Sequence, residues 1–164
     1  MASSRSCRNP SSSKGFTLVE LMVVLLIMAI AAAIVVPSLA STSDFQALSA
    51  ARMIVADLQY AQDAAITTQS DVTVDFDTEN YSYTLSNQSG PLVHPMTKGA
   101  YTIAFPAMHG FKSVRLAAAF GAGGHSVTFD VTGSPDQAGM VTVLAGSYQH
   151  AIRLSEGTGT VSVD

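Results

Sequence analysis

Cysteine is nearly absent from this sequence. The one cysteine among 164 residues, Cys7, stands ahead of the long apolar run, so the chain holds no internal disulfide framework and does not disclose its redox compartment. Cations are scarce as well. Eight Lys and Arg face twelve Asp and Glu, and Arg5, Arg8 and Lys14 precede the apolar run, leaving five bases against twelve acids beyond them. Such a domain lacks the clustered cations that neutralise phosphates, which argues against nucleic-acid binding and against attraction to an anionic membrane surface.

Ligand and catalytic spacings are missing too. His94, His109, His125 and His150 are scattered, without the short paired spacing of a zinc site. Gly121-Ala122-Gly123-Gly124 has neither the Lys-Ser/Thr ending nor the full glycine pattern of a phosphate loop, and is expected to be a flexible loop. Asp71, Asp75, Asp77 and Glu79 lack the spacing and central glycine of an EF-hand, and fit a solvated acidic strand edge. No catalytic residue, metal or cofactor is expected, and the chain is not expected to be an enzyme.

What is present is one uninterrupted apolar run, with no charged or strongly polar side chain from Leu21 to Val36. The 21 positions from Phe16 to Val36, at ~1.5 Å each, match a hydrocarbon core of ~30 Å. They exceed the roughly 7 to 15 residues of a signal-peptide core. A secretory signal is the competing expectation, because the leader Met1 to Gly15 is short, Ser-rich and basic, and Ser38-Leu39-Ala40 supplies the small residues for a cut after Ala40. That cut releases a soluble, secreted binding domain starting at Ser41. Neither account explains Glu20. An acid inside a membrane segment costs about 2.5 to 3.5 kcal/mol, so it points by default to a paired, functional group. The plainer account is a solvated acid at the headgroup boundary.

The run Lys14-Gly15-Phe16-Thr17-Leu18-Val19-Glu20-Leu21, followed by a long apolar helix, resembles the leader of type IV pilins and type II secretion pseudopilins. That resemblance implies a prepilin peptidase cutting after Gly15, methylation of the new amino terminus on Phe16, and Glu20 as the fifth mature residue. Pro37, twenty-second after the cut, falls where many members carry a proline that bends the helix. Cutting at Gly15 creates an α-amine at the membrane depth of Glu20. Stacking of subunits then lets the acid of one chain pair with the amine of its neighbour, although the spacing equally permits pairing within one chain.

Beyond Pro37 an apolar stripe of Leu48, Ala51, Val55, Leu58, Ala61 or Gln62, and Ala65 predicts an amphipathic helix to about Thr68, with Arg52, Gln59 and Asp63 opposite. Ser43-Asp44-Phe45-Gln46 has capping-box spacing at its start. From Asp71 the period changes to two. Strands are expected at 72–76, 81–85, 101–105 and 127–131, with shorter ones at 114–116, 140–144, 151–154 and 161–163. The fold class is α+β: a long amino-terminal helix, half membrane and half amphipathic, packed on an antiparallel sheet in a pilin-like domain. The expected division is a leader at 1–15, a transmembrane and assembly helix at 16–37, and a periplasmic domain at 38–164.

Ala61 to Ala65, the strand from Val72, Phe129 with Gly133, Ile152-Arg153-Leu154 and Gly159-Thr160-Val161 together resemble the H-type minor pseudopilins, the GspH/FimT family. The resemblance implies a minor pseudopilin or pilin-like subunit anchored in the bacterial inner membrane. Its implied partners are other pilins or pseudopilins, the prepilin peptidase and an inner-membrane assembly platform. Where the family often carries an arginine this chain has Gln62, and its tail offers only Arg153 among Glu156 and Asp164. That composition disfavours a further alternative, a DNA-binding minor pilin. A mature chain without cysteine also lacks the carboxyl-terminal disulfide loop of major pilins.

Overall fold

The computed structural model describes residues 15–38 and 42–163. The chain divides into two units, Met1–Ala40 and Ser41–Asp164. The described part of the first is the approach Gly15–Thr17 and helix α1 (Leu18–Ser38). The leader before Gly15, with Cys7, lies outside the described residues, as do Leu39, Ala40 and Ser41 of the expected signal cut.

The second unit opens with α2 (Thr42–Thr68), in which neither Gly nor Pro interrupts a run rich in Ala, Leu, Gln and Met. Its end is closed by a left-handed residue. Gln69 has φ +51, the N–H of Ser70 reaches back to the Ala65 carbonyl at 3.3 Å, and the Gln69 amide donates to the Ile66 carbonyl at 2.7 Å. The expected capping box at the start does not form. Ser43 lies inside the helix, and Gln46 Oε1 instead accepts from the Ser113 hydroxyl at 2.5 Å.

The described residues that follow form nine strands in two antiparallel sheets. The first has the order β3 (Gly90–Pro91), β2 (Ser82–Asn87), β1 (Val72–Asp77), β6 (Ser126–Phe129), with β4 (Thr102–Ala104) also on β2. The second has the order β5 (Val114–Phe120), β7 (Gly139–Ala145), β8 (Tyr148–Leu154), β9 (Val161–Val163). Helix α2 packs against β1 of one sheet and β7 and β8 of the other. The sheets meet at an aromatic seam where the rings of Phe76 and Phe120 stack at 5.7 Å. Gly139 permits that seam, since a β-carbon there would collide with the Phe120 ring.

The helix stripe keeps Ala51, Leu58, Ala61 and Ala65 of the expected one and departs from it at two positions. Ala47, Ala50, Ala51, Ile54, Leu58, Ala61 and Ala65 are buried, whereas Leu48 and Val55 are only half-buried. Five of those seven are alanines, whose small side chains let the sheets approach the helix closely. Strand limits shift for local reasons. Tyr81 has φ +50 and belongs to a turn, Pro106 lacks an N–H and ends the ladder after β4, and Phe105 begins a short 3-10 turn. Strand β5 runs on to Phe120 because Ala118 and Phe120 continue its inward alternation.

Candidate functional site

The segment that the sequence singles out begins in extended chain and ends inside a helix. Thr17 is the cap of α1: its carbonyl accepts the N–H of Leu21 at 3.2 Å, and its hydroxyl accepts the N–H of Glu20 at 3.2 Å. Glu20 therefore occupies the third helical position, where a carboxylate is favoured by the positive end of the helix dipole. Thr-x-x-Glu is capping-box spacing, a local signal carried by the sequence itself. Gly15, Phe16 and Glu20 come together at this one helix end. Nothing lies within 4 Å of a β-carbon built on Gly15, and the Phe16 side chain is 81% exposed.

Pro37 is not part of this cluster. It sits one residue before the end of α1, seventeen positions from Glu20, a rise of about 26 Å along a helix. The bend expected there involves residues 39–41, outside the described residues.

Every described side chain from Phe16 to Ala31 is exposed, and most are large and apolar. Among the described residues no helix is long and apolar enough to cross a membrane. The 21 residues of α1 rise about 31 Å along its axis. At that rise the helix has the length of a hydrocarbon core.

In the second unit the features noted along the sequence converge at the end of α2. The Gln62 amide donates to the carbonyls of Gly133 at 2.7 Å and Thr158 at 3.4 Å. Gly133 and Gly159 are both buried with positive φ, +82 and +63. Val72 pairs with Phe129, and Leu154 with Val161. This is a structural clamp joining helix, first sheet and carboxyl-terminal strands.

Two acidic side chains, Asp77 and Asp130, are held by turns. Asp77 accepts the side-chain amide of Asn80 at 2.6 Å and the N–H groups of Asn80 and Glu79 at 2.9 and 3.0 Å, which hold its pKa below the ordinary 3.8. Asp130 does the same with the Thr132 hydroxyl and the N–H groups of Ser134 and Thr132, again with a lowered pKa. The glycines at 121–124 form a tight turn, with the N–H groups of Gly123 and Gly124 on the Phe120 carbonyl, rather than a loose loop.

Sequence reasoning missed Asp57. It lies on α2, and its carboxylate accepts the hydroxyls of Tyr83 at 2.5 Å and Tyr101 at 3.0 Å. Burial, and then the charge of Asp57, push both phenols far above their ordinary range. No short-range signal announces partners 26 and 44 residues away.

Comparison with known proteins agrees with this architecture. Residues 10–36 match the prokaryotic N-terminal methylation motif, and residues 50–158 match the type II transport protein GspH. The chain belongs to the GspH family within the type IV pilin superfamily, and is a minor pseudopilin or pilin-like structural subunit. No curated protein matches it. Its fold is similar to that of the minor pseudopilin EpsH from the Type 2 Secretion System of Vibrio cholerae, at 13% identity and a TM-score of 0.56, over 73% of this chain and 96% of that one. It is also similar to the type IV minor pilin FimU of Pseudomonas aeruginosa, at 17% identity and a TM-score of 0.53, over 75% and 91%. Neither the secreted binding domain nor the DNA-binding pilin gains support from these matches.

Proposed function

We propose that the chain is cut after Gly15 by a prepilin peptidase, methylated on Phe16, and held in the bacterial inner membrane by a single pass of the helix that begins there. The leader is 1–15, the transmembrane and assembly helix 16–37, and the periplasmic domain 38–164. Other pilins or pseudopilins are its partners in the fibre, and an inner-membrane platform adds it there. Its work is structural rather than catalytic.

The observation that carries this reading is the placement of Glu20 at the capped start of a helix whose described apolar side chains are exposed. An apolar helix of that kind requires lipid or other apolar helices around it. A carboxylate at its head, beside the amine released at Phe16, is relieved of its burial cost when subunits stack. Pro37, near the far end, gives the helix a place to bend at the membrane exit.

Intact-mass measurement of the mature protein tests the reading. The expected chain begins at a methylated Phe16 and retains the apolar helix. A chain beginning at Ser41 would overturn it in favour of a secretory signal.

A further inference from the structure

Asp57 does more than join helix to sheet. It also opens into a cleft of about 310 Å³, whose walls include Met53, Met96, Met108, His94 and Tyr101. Of the four methionines beyond residue 42, three line this one cleft, and only Met140 lies elsewhere. The His94 ring packs on Tyr101 at 4.5 Å. Thioether and aromatic surfaces of this kind suit a flat or adaptable apolar surface, and aromatic faces attract cations.

Among the described residues no Lys or Arg forms an ion pair with Asp57, and its side-chain partners are the two tyrosine hydroxyls. Those hydroxyls go one to each oxygen, Tyr83 to Oδ2 and Tyr101 to Oδ1. A carboxylate has about four acceptor sites, so each oxygen keeps one. One free site per oxygen matches the two parallel N–H groups of a guanidinium fork.

A metal ion is the poorer occupant. His94 Nδ1 accepts the N–H groups of Met96 at 3.1 Å and Thr97 at 3.3 Å, so the neutral ring carries its proton on Nε2. With one nitrogen engaged and the other protonated, the imidazole has no lone pair for a cation. It is a donor and a flat surface instead.

We propose that this cleft receives the arginine side chain of a partner protein, with the guanidinium on Asp57 and its apolar stem along the methionines. Arginine satisfies the fork and stacks on an aromatic face, which the compact ammonium of lysine does not. Twelve acids against five bases after Lys14 make a cationic partner the electrostatically complementary one. This inference does not depend on how the amino-terminal helix assembles.

The test uses the full chain in detergent micelles, labelled with 13C at the methionine methyls and titrated with N-acetylarginine amide. Saturable shifts are expected at Met53, Met96 and Met108, with Met140 unmoved. N-acetylcitrulline amide, the neutral isostere, is expected to bind at least tenfold more weakly, and N-acetyllysine amide severalfold more weakly. Asp57→Asn is expected to lower arginine affinity at least tenfold. Met96→Lys, at a position 83% exposed and so harmless to folding, is expected to lower it about fivefold or more by placing a competing cation at the rim. Equal binding of citrulline and arginine would overturn the proposal and leave an apolar cleft. Equal binding of lysine would overturn the choice of arginine. Undiminished binding by Asp57→Asn would overturn the role of the carboxylate, and if that variant does not fold, the citrulline and Met96→Lys arms decide.

Discussion

The side-chain amide of Gln62 donates to the backbone carbonyl of Gly133 at 2.7 Å, tying the last turns of α2 to a loop 71 residues further along. The approach is close because Gly133 has no side chain. A β-carbon there would stand 2.7 Å from Ile66 Cδ1 and 3.1 Å from Gln62 Cγ, at a backbone φ of +82. Gln62 also reaches Thr158, so one amide holds the turn after β6 and the turn before β9 against the helix.

Gly133→Ala is therefore expected to destabilise the domain by roughly 2 kcal/mol or more, through a left-handed backbone and a steric clash together. Near-ultraviolet circular dichroism reports the domain alone, because all five tyrosines lie beyond residue 42. A fall in Tm of about 5 to 10 °C is expected. An unchanged Tm would show that the loop yields without cost and is no clamp.

Tyr83 and Asp57 form a second tie between sheet and helix. Tyr83 is 1% exposed, so its hydroxyl has no water to replace the carboxylate. Tyr83→Phe should cost about 1.5 to 3 kcal/mol, the worth of a hydrogen bond to a charged group. Combined with Asp57→Ala in a double-mutant cycle, the losses should be less than additive, because either change removes the same bond. Strict additivity would mean the two groups act independently.

Period-two burial made most strands legible in the sequence. Val72, Val74 and Phe76 point inward as their alternation required, and so do Val127 and Phe129. Alanine made the rest hard to read. In α2 the buried face includes the small Ala47 and Ala50, so the larger Leu48 and Val55 drew two positions of the expected stripe aside. In β5 the run Ala117 to Ala119 hid a strand continuing to Phe120. The amino-terminal segment was legible because its signal is local, a glycine, an aromatic and an acid within six residues. Asp57 was not, because both its partners are brought to it only by the folded sheet.

Acid should weaken the domain partly through Asp77 and Asp130. Both have folded pKa values below the ordinary 3.8, so the folded state binds these protons less readily than the unfolded one. Their contribution is fully present above about pH 4 and is lost as pH falls through the folded values. Asparagine keeps the turn but does not titrate. The gap in urea midpoint between wild type and the Asp77→Asn, Asp130→Asn double variant should therefore shrink steadily below about pH 4. A gap independent of pH would show that the two carboxylates do not stabilise the fold through their charge.

Two roles of Glu20 can be told apart by experiment, its favourable charge at the start of its own helix and the proposed pairing with a neighbour. Thr17→Ala removes the hydroxyl that accepts the Glu20 N–H, at a cost of about 1 kcal/mol, and leaves the charge in place. Glu20→Gln keeps a side chain suited to the third helical position while removing the charge. Glu20→Val removes both. Each variant should still be cleaved and inserted, because Gly15 is intact and losing an acid eases insertion by about 2 to 3 kcal/mol. Incorporation into the fibre should separate them. An unpaired buried amine costs about 3 to 5 kcal/mol, equivalent to a few hundredfold or more in association, so both Glu20 variants should fail to assemble while Thr17→Ala assembles nearly normally. A bulky residue at Gly15 should instead stop cleavage itself. Co-expression with the cognate system, scored for cleavage, membrane fractionation and fibre incorporation, checks each step. Normal incorporation of Glu20→Gln and Glu20→Val would reduce the glutamate to a solvated acid at the membrane boundary, and a defect shared equally by Thr17→Ala would assign its effect to the helix cap.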